Sequence, residues 1–143
     1  MHNVVKQWRE DATNFNILAF ITDRCNYNCW YCYNHNKTKH ADLDLNALKK
    51  YVDFVKYKTN RAIDLDLIGG EPTQHPYLLD FCKSVDNANI CIYTNFSRDL
   101  EYLKTLAQHN VKFDITFHND KIDNIYAIDI KSIRGITVML DKD

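Results

Sequence analysis

Cys25, Cys29 and Cys32 lie together in the stretch DRCNYNCWYCYN, residues 23–34. Soft thiolates at this density select zinc, copper(I) or an iron–sulfur centre. A structural zinc takes four protein ligands, and a catalytic one takes three plus an open position. Three cysteines therefore leave one coordination place to be explained. A zinc site draws its fourth ligand from His35, His40, Cys82 or Cys91. A 4Fe–4S cluster held by three thiolates instead keeps one iron open to a substrate or cofactor. Asn26, Tyr27 and Asn28 mark the stretch as a loop, which argues against a chance trio of core cysteines. Cys82 falls on an apolar helical stripe and Cys91 inside an apolar run. Both read as small core residues, and no second cluster is indicated.

Three other stretches carry polar groups of interest. LIGGEPTQHP (67–76) ends an apolar run with Gly69 and Gly70, whose bare backbone permits a close approach and exposes peptide groups to a polar ligand. Glu71 adds a carboxylate and Pro72 stiffens the turn. IYTNFS (92–97) offers Thr94 and Asn95. In VKFDITFH (111–118), Asp114, Thr116 and His118 alternate with Phe113, Ile115 and Phe117. A polar face on an internal strand fits a cavity lining, since buried polar groups need partners. Asp64 and Asp66 alternate in the same manner and face either the cavity or solvent.

The elements that carry these residues follow from two periodicities. NILAFIT (16–22), IDLDLIGG (63–70), NICIYTNF (89–96), VKFDITFH (111–118) and GITVMLD (135–141) are short, rich in β-branched and aromatic residues, and read as strands. Leu45, Leu48, Val52 and Val55 recur at helical spacing after an N-cap at Asp44. Leu78, Phe81, Cys82 and Val85 form a second stripe, with Pro76 expected in its first turn. Leu100, Leu103, Leu106 and Ala107 form a third. Residues 121–134 fit helix or strand. Alternating strands and helices imply βαβ units and a parallel sheet, whose ligands sit at the carboxyl ends of the strands. The cysteines, GGEPT, TNFS and TFHND all fall at such ends.

CNYNCWYC is CxxxCxxC with an aromatic residue, Tyr31, before the last cysteine. With GGEP following the second strand, it resembles the signature of radical S-adenosylmethionine (SAM) enzymes. The resemblance runs from Ile17 to about Leu140, with the motifs in the family's order. It implies a 4Fe–4S cluster on Cys25, Cys29 and Cys32, the fourth iron being chelated by the amino and carboxylate groups of SAM. Gly69, Gly70, Glu71 and Pro72 are then expected at the methionine ammonium, and Tyr31 at the adenine. Thr94 and Asn95 are expected near SAM, with Phe96 standing where the family's TNG has glycine. Thr116 and His118 fall near the ribose or substrate.

The implied reaction is reductive cleavage of SAM to methionine and a 5′-deoxyadenosyl radical that abstracts hydrogen from a substrate. That substrate is a small molecule, a peptide or a glycyl-radical partner protein, and the electron donor is a protein such as flavodoxin or ferredoxin. The family core usually has six strands, whereas this sequence ends at VMLDKD near its fifth. The expected fold is an α/β partial (β/α) barrel, laterally open, with about five mostly parallel strands in a single domain over 1–143 (core about 16–141). It is expected as a minimal enzyme, completed by dimerisation or a partner chain, or as a truncated relative. Two other readings stay open: a zinc-binding structural or interaction module, and a non-catalytic cluster-binding partner subunit.

Composition narrows the remaining classes. The formal net charge is −1, and charged residues make up 26% of the chain without a basic cluster. There is thus no electrostatic footprint for nucleic acid or an anionic membrane. ILAFI is too short to span a bilayer, and the first residues lack the pattern of a secretory signal. A cytoplasmic protein is expected, in keeping with clustered rather than paired cysteines.

Overall fold

A computed structural model describes residues 13–33, 41–118 and 122–138. His35, His40 and the last residues of the fifth expected strand lie outside these. Five strands form one sheet in sequence order: β1 (Asn14–Thr22), β2 (Ala62–Gly69), β3 (Ala88–Thr94), β4 (Val111–Phe117) and β5 (Ile133–Val138). Every pair is parallel. The helices α1 (Leu45–Thr59), α2 (Leu78–Ser84), α3 (Leu100–Gln108) and α4 (Ile122–Ala127) occupy the crossovers that parallel pairing requires. Among the described residues the sheet does not close on itself, so the architecture is a partial, laterally open α/β barrel.

Alternation along the strands assigns the two faces. Ile17, Ala19 and Ile21, then Ile63, Leu65 and Leu67, Ile90 and Ile92, and Val111, Phe113 and Ile115 are buried beneath the helices. The helices meet them with Leu45, Leu48, Val52 and Val55 of α1, Leu78, Phe81 and Cys82 of α2, and Leu103 and Leu106 of α3. Each fully buried Leu or Ile contributes about 1.5–3 kcal/mol relative to an exposed one. The opposite face carries Asp64, Asp66, Tyr93, Asp114, Thr116 and His118, none of them fully buried.

Helix starts follow the capping rules. Asp44 accepts from Asn46 and Ala47 at α1, and Asp99 accepts from Tyr102 at α3. Pro76 is not in the first turn of α2, because Tyr77 is the cap residue and the helix begins at Leu78. The first-turn proline is Pro72, which opens a single 3₁₀ turn, Pro72–Gln74. The ambiguous segment divides: α4 is followed by a 3₁₀ turn, Ile130–Ser132, and Ile133 starts β5. Among the described residues, no helix is long and apolar enough to cross a membrane.

Candidate active site

Three backbone contacts build the rim on which the cysteines sit. At the end of the β1–β2 ladder Thr22 pairs with Gly69 after a register shift. Beyond it the Gly70 amide donates to the Thr22 carbonyl at 2.7 Å and the Glu71 amide to the Arg24 carbonyl at 2.6 Å. A Cβ on Gly69 falls 2.4 Å from the Thr22 oxygen, and one on Gly70 falls 2.3 Å from the Arg24 oxygen. Neither glycine has positive φ, so what they supply is room for the chain leading into Cys25. Gly70→Ala is expected to force these strand ends apart, at a cost of about 1–3 kcal/mol. A lower urea midpoint with an unchanged slope is the measurement that checks it.

The far end of the cysteine loop is tied back to the same place. Asp23 and Ala41 exchange hydrogen bonds through the Asp23 amide (3.0 Å) and the Asp23 carboxylate (2.6 Å), and the Leu43 amide donates to the Ile21 carbonyl. Asp42 accepts from the Thr22 hydroxyl at 2.6 Å and pairs with the Arg24 guanidinium at 2.9 Å. Burial pushes the Asp42 carboxyl up, but the bonds from Thr22 and Arg24 outweigh it and hold it below the usual carboxylate range. With a depressed folded value, the carboxyl stabilises the fold above its unfolded value near 3.8. That stabilisation is lost as pH falls toward the folded value. Stability of Asp42→Asn, followed by urea denaturation, is expected to fall less steeply on acidification than that of the parent chain.

Glu71 is 1% exposed. Its Oε1 accepts from the Thr73 amide (3.0 Å), the Thr73 hydroxyl (2.6 Å) and the Thr94 hydroxyl (2.7 Å), and its Oε2 from the Asn95 amide (2.7 Å). Burial pushes this carboxyl above its ordinary range, and the Thr73, Asn95 and Thr94 donors oppose the shift. The carboxylate thus fastens the end of β2 to the end of β3.

Phe96, standing where the TNG of the resembled family has glycine, has φ 57°. The left-handed conformation costs a non-glycine residue about 1–2 kcal/mol. Its ring is fully buried and packs edge-on against Phe113, centroids 5.3 Å apart. Truncating a buried Phe costs about 3–5 kcal/mol, so burial outweighs the strain. The Phe96 amide donates to the Thr94 hydroxyl, and its carbonyl accepts from Asn124.

These supports surround a cavity of about 340 Å³. Cys25, Cys29, Cys32 and Tyr31 line one side, Gly69, Gly70 and Glu71 another, and Asn95, Thr116 and His118 the strand ends opposite. Four residues that the sequence did not single out join them: Tyr27, Tyr33, Ile68 and Tyr93. Tyr27 sets its ring against His118, centroids 4.6 Å apart, and the Tyr33 hydroxyl reaches the Gly69 carbonyl at 3.4 Å. The phase of Asp64 and Asp66 along β2 would have found Ile68, and that of Cys91 along β3 would have found Tyr93. Pro72 and Thr94 do not line the cavity. Pro72 is buried in the 3₁₀ turn and the Thr94 hydroxyl is committed to Glu71.

One layer below, Arg134 bonds to Asp66 at 2.7 Å, approaches Asp114 at 3.4 Å, donates to the Tyr93 hydroxyl and lies over the Tyr93 ring at 5.0 Å. Arg134 reaches this face through the register shift that pairs Asp114 with Gly135. The three carboxylates of β2 and β4 are accounted for in this way: Asp66 and Asp114 hold Arg134, and Asp64 accepts from Asn14 and Asn89.

Cys82 and Cys91 are buried away from the cavity lining. Burial pushes both thiols up to about 12, which disfavours the thiolate that binds metal. Among the described residues, no three His, Cys, Asp or Glu side chains converge on the position of a single metal ion.

A sequence model described as the Radical SAM superfamily matches residues 20–134. The chain belongs to the radical SAM superfamily. It is 31% identical over 126 residues to an uncharacterized protein of Methanocaldococcus jannaschii, covering 85% of this chain and 39% of that protein. It is 37% identical over 106 residues to an S-adenosylmethionine-dependent nucleotide dehydratase of Selenomonas ruminantium, covering 70% of this chain and 36% of that enzyme. This radical SAM chain therefore spans less than half the length of either relative.

Proposed function

We propose that the cavity holds a 4Fe–4S cluster on Cys25, Cys29 and Cys32, with SAM seated between the cluster and the ends of β2, β3 and β4. One observation carries this reading: three thiols, a Gly-Gly rim and the polar strand ends line the same cavity. The donor set fits the group. Thiolates on a cubane bind separate irons, so they need not converge on one point, whereas a mononuclear zinc needs every sulfur about 2.3 Å from one ion.

When bound, the cluster supplies the electron that splits SAM into methionine and a 5′-deoxyadenosyl radical able to take hydrogen from a substrate. This chain's residues do the rest. Peptide groups at Gly69 and Gly70 offer polar contacts to the amino-acid end of SAM, and Asn95, Thr116 and His118 offer hydrogen bonds to its sugar. The rings of Tyr27 and Tyr31 help to exclude water from the cavity. Pro72 and Thr94 act from behind, through the 3₁₀ turn and Glu71. A nucleotide is the first substrate class to test, in view of the Selenomonas relative, and a flavodoxin- or ferredoxin-type protein the first reductant.

Anaerobic reconstitution with iron and sulfide, followed by metal analysis, tests the reading. The expected result is about four irons per chain, a brown chromophore, and 5′-deoxyadenosine once the protein is reduced with SAM present. Stoichiometric zinc without a chromophore would overturn the cluster. A cluster without 5′-deoxyadenosine would reduce the chain to a binding subunit.

A further inference from the structure

We propose that Asn26, Asn95 and Ser97 form a clamp that positions the first turn of the cysteine loop against the Gly-Gly rim before any cofactor arrives. The proposal rests on the cavity reading above and assigns Asn26 and Ser97, which do not line the cavity, a positioning role in it. Asn26 directly follows Cys25. Its Nδ2 donates to the Ser97 hydroxyl at 2.8 Å, and its Oδ1 accepts from Asn95 Nδ2 at 3.1 Å. The Ser97 amide closes the ring by donating to Asn95 Oδ1 at 3.0 Å.

The directions of these bonds are forced. A backbone amide only donates, so Ser97 fixes the oxygen of Asn95 toward itself. That turns the Asn95 nitrogen to Asn26, which must answer with its oxygen, leaving the Asn26 nitrogen for Ser97. The left-handed turn at Phe96 bends the chain between Asn95 and Ser97, so that both reach one amide across the cavity rim. From Asn95 the connection continues through its own amide into Glu71, and so to the end of β2.

At the other end, the clamp holds a tight turn: the Tyr27 amide donates to the Cys25 sulfur at 3.4 Å. Fixing Asn26 thereby fixes the Cys25 thiol on one side and the Tyr27 ring, set against His118, on the other. The distance from the first thiol to the rim is then a property of the protein rather than of the bound group. A loop asparagine with only a solvating role would bond to neighbouring backbone, whereas Asn26 bonds to two side chains about seventy residues away.

Hydrogen exchange on the cofactor-free chain tests the clamp independently of the cluster. Asn26→Ala and Ser97→Ala are each expected to raise exchange at the 25–29 amides about tenfold, the equivalent of one net hydrogen bond. Combining them should add little, because they break one ring, and Ser97→Thr, which keeps the hydroxyl, should restore protection. Unchanged exchange in the single variants, or fully additive effects in the double, would overturn the clamp. In the reconstituted protein, Asn26→Ala is expected to keep its iron and bind SAM about tenfold more weakly by equilibrium dialysis. Unchanged SAM affinity would overturn the positioning role, as would loss of iron, since that would mean the loop collapses. If the parent chain takes up no cluster, the proposed function fails while the exchange result still decides the clamp.

Discussion

Cys29→Ala is expected to eliminate 5′-deoxyadenosine production while leaving the fold in place. Cys29 is half-buried on the cavity wall and contributes nothing to the core beneath the helices. Its loss should change unfolding free energy by less than about 1 kcal/mol, as for substitutions away from packed features. Changing the outer partners of metal ligands typically costs about 10–100-fold. Removing a ligand itself must cost more, and SAM cleavage should fall below detection by chromatography with the iron content. Cys82→Ala is the matching control. That residue is 1% exposed on the buried face of α2, so its loss should lower stability and leave iron uptake unchanged. Undiminished cleavage by Cys29→Ala, or loss of iron in Cys82→Ala with its fold retained, would refute the ligand assignment.

The second large effect belongs to Glu71→Gln, a change that preserves shape. Each carboxylate oxygen receives one backbone amide that cannot reverse its direction: Thr73 on Oε1 and Asn95 on Oε2. A glutamine has one oxygen, so in either orientation its NH₂ group faces an N–H within a buried site. One bond is lost and one donor stranded, which costs about 2–3 kcal/mol. The cost also depends on pH. Because burial raises the folded value of this carboxyl above 4.5, its contribution is fully present below the unfolded value and is lost as pH rises through the folded value. The advantage of the parent chain over Glu71→Gln in urea denaturation is therefore expected to narrow as pH rises through that window. A constant difference would show that this carboxyl does not change its proton affinity on folding.

Sequence reasoning reached the frame and most of the cavity wall. Periodicity placed the strands because β1 to β4 each bury Ile, Leu, Val or Phe on one side and β5 rests its partly buried Ile133 on the same core, and parallel order put the unusual residues at one rim. Four things stayed hidden because each depends on what the chain meets in space. GGEP suggested a close approach, but only the fold reveals that Gly69 and Gly70 meet the backbone at Thr22 and Arg24. Glu71 reads as a rim carboxylate, yet with four donors around it the group turns inward and fastens two strands. Residues 121–134 gave mixed periodicity because a short helix, a 3₁₀ turn and a shifted strand follow one another there. Arg134, which organises Asp66, Tyr93 and Asp114, was concealed in that mixture. At Phe96, sequence identity alone could not say whether a bulky ring would keep a glycine-like backbone. Burial against Phe113 decides that it does.

The bracket formed by residues 21–24 and 41–43 also bears on how this protein can be altered. Closure of the cysteine-bearing segment is carried by Ile21, Thr22, Asp23 and Arg24 on one side and Ala41, Asp42 and Leu43 on the other. Loop-closure entropy grows only logarithmically, about 0.6 kcal/mol for each doubling of length. Lengthening the chain between these two sides is therefore expected to cost little in closure entropy, while the Gly70 and Glu71 amides keep their bonds to the Thr22 and Arg24 carbonyls at its base.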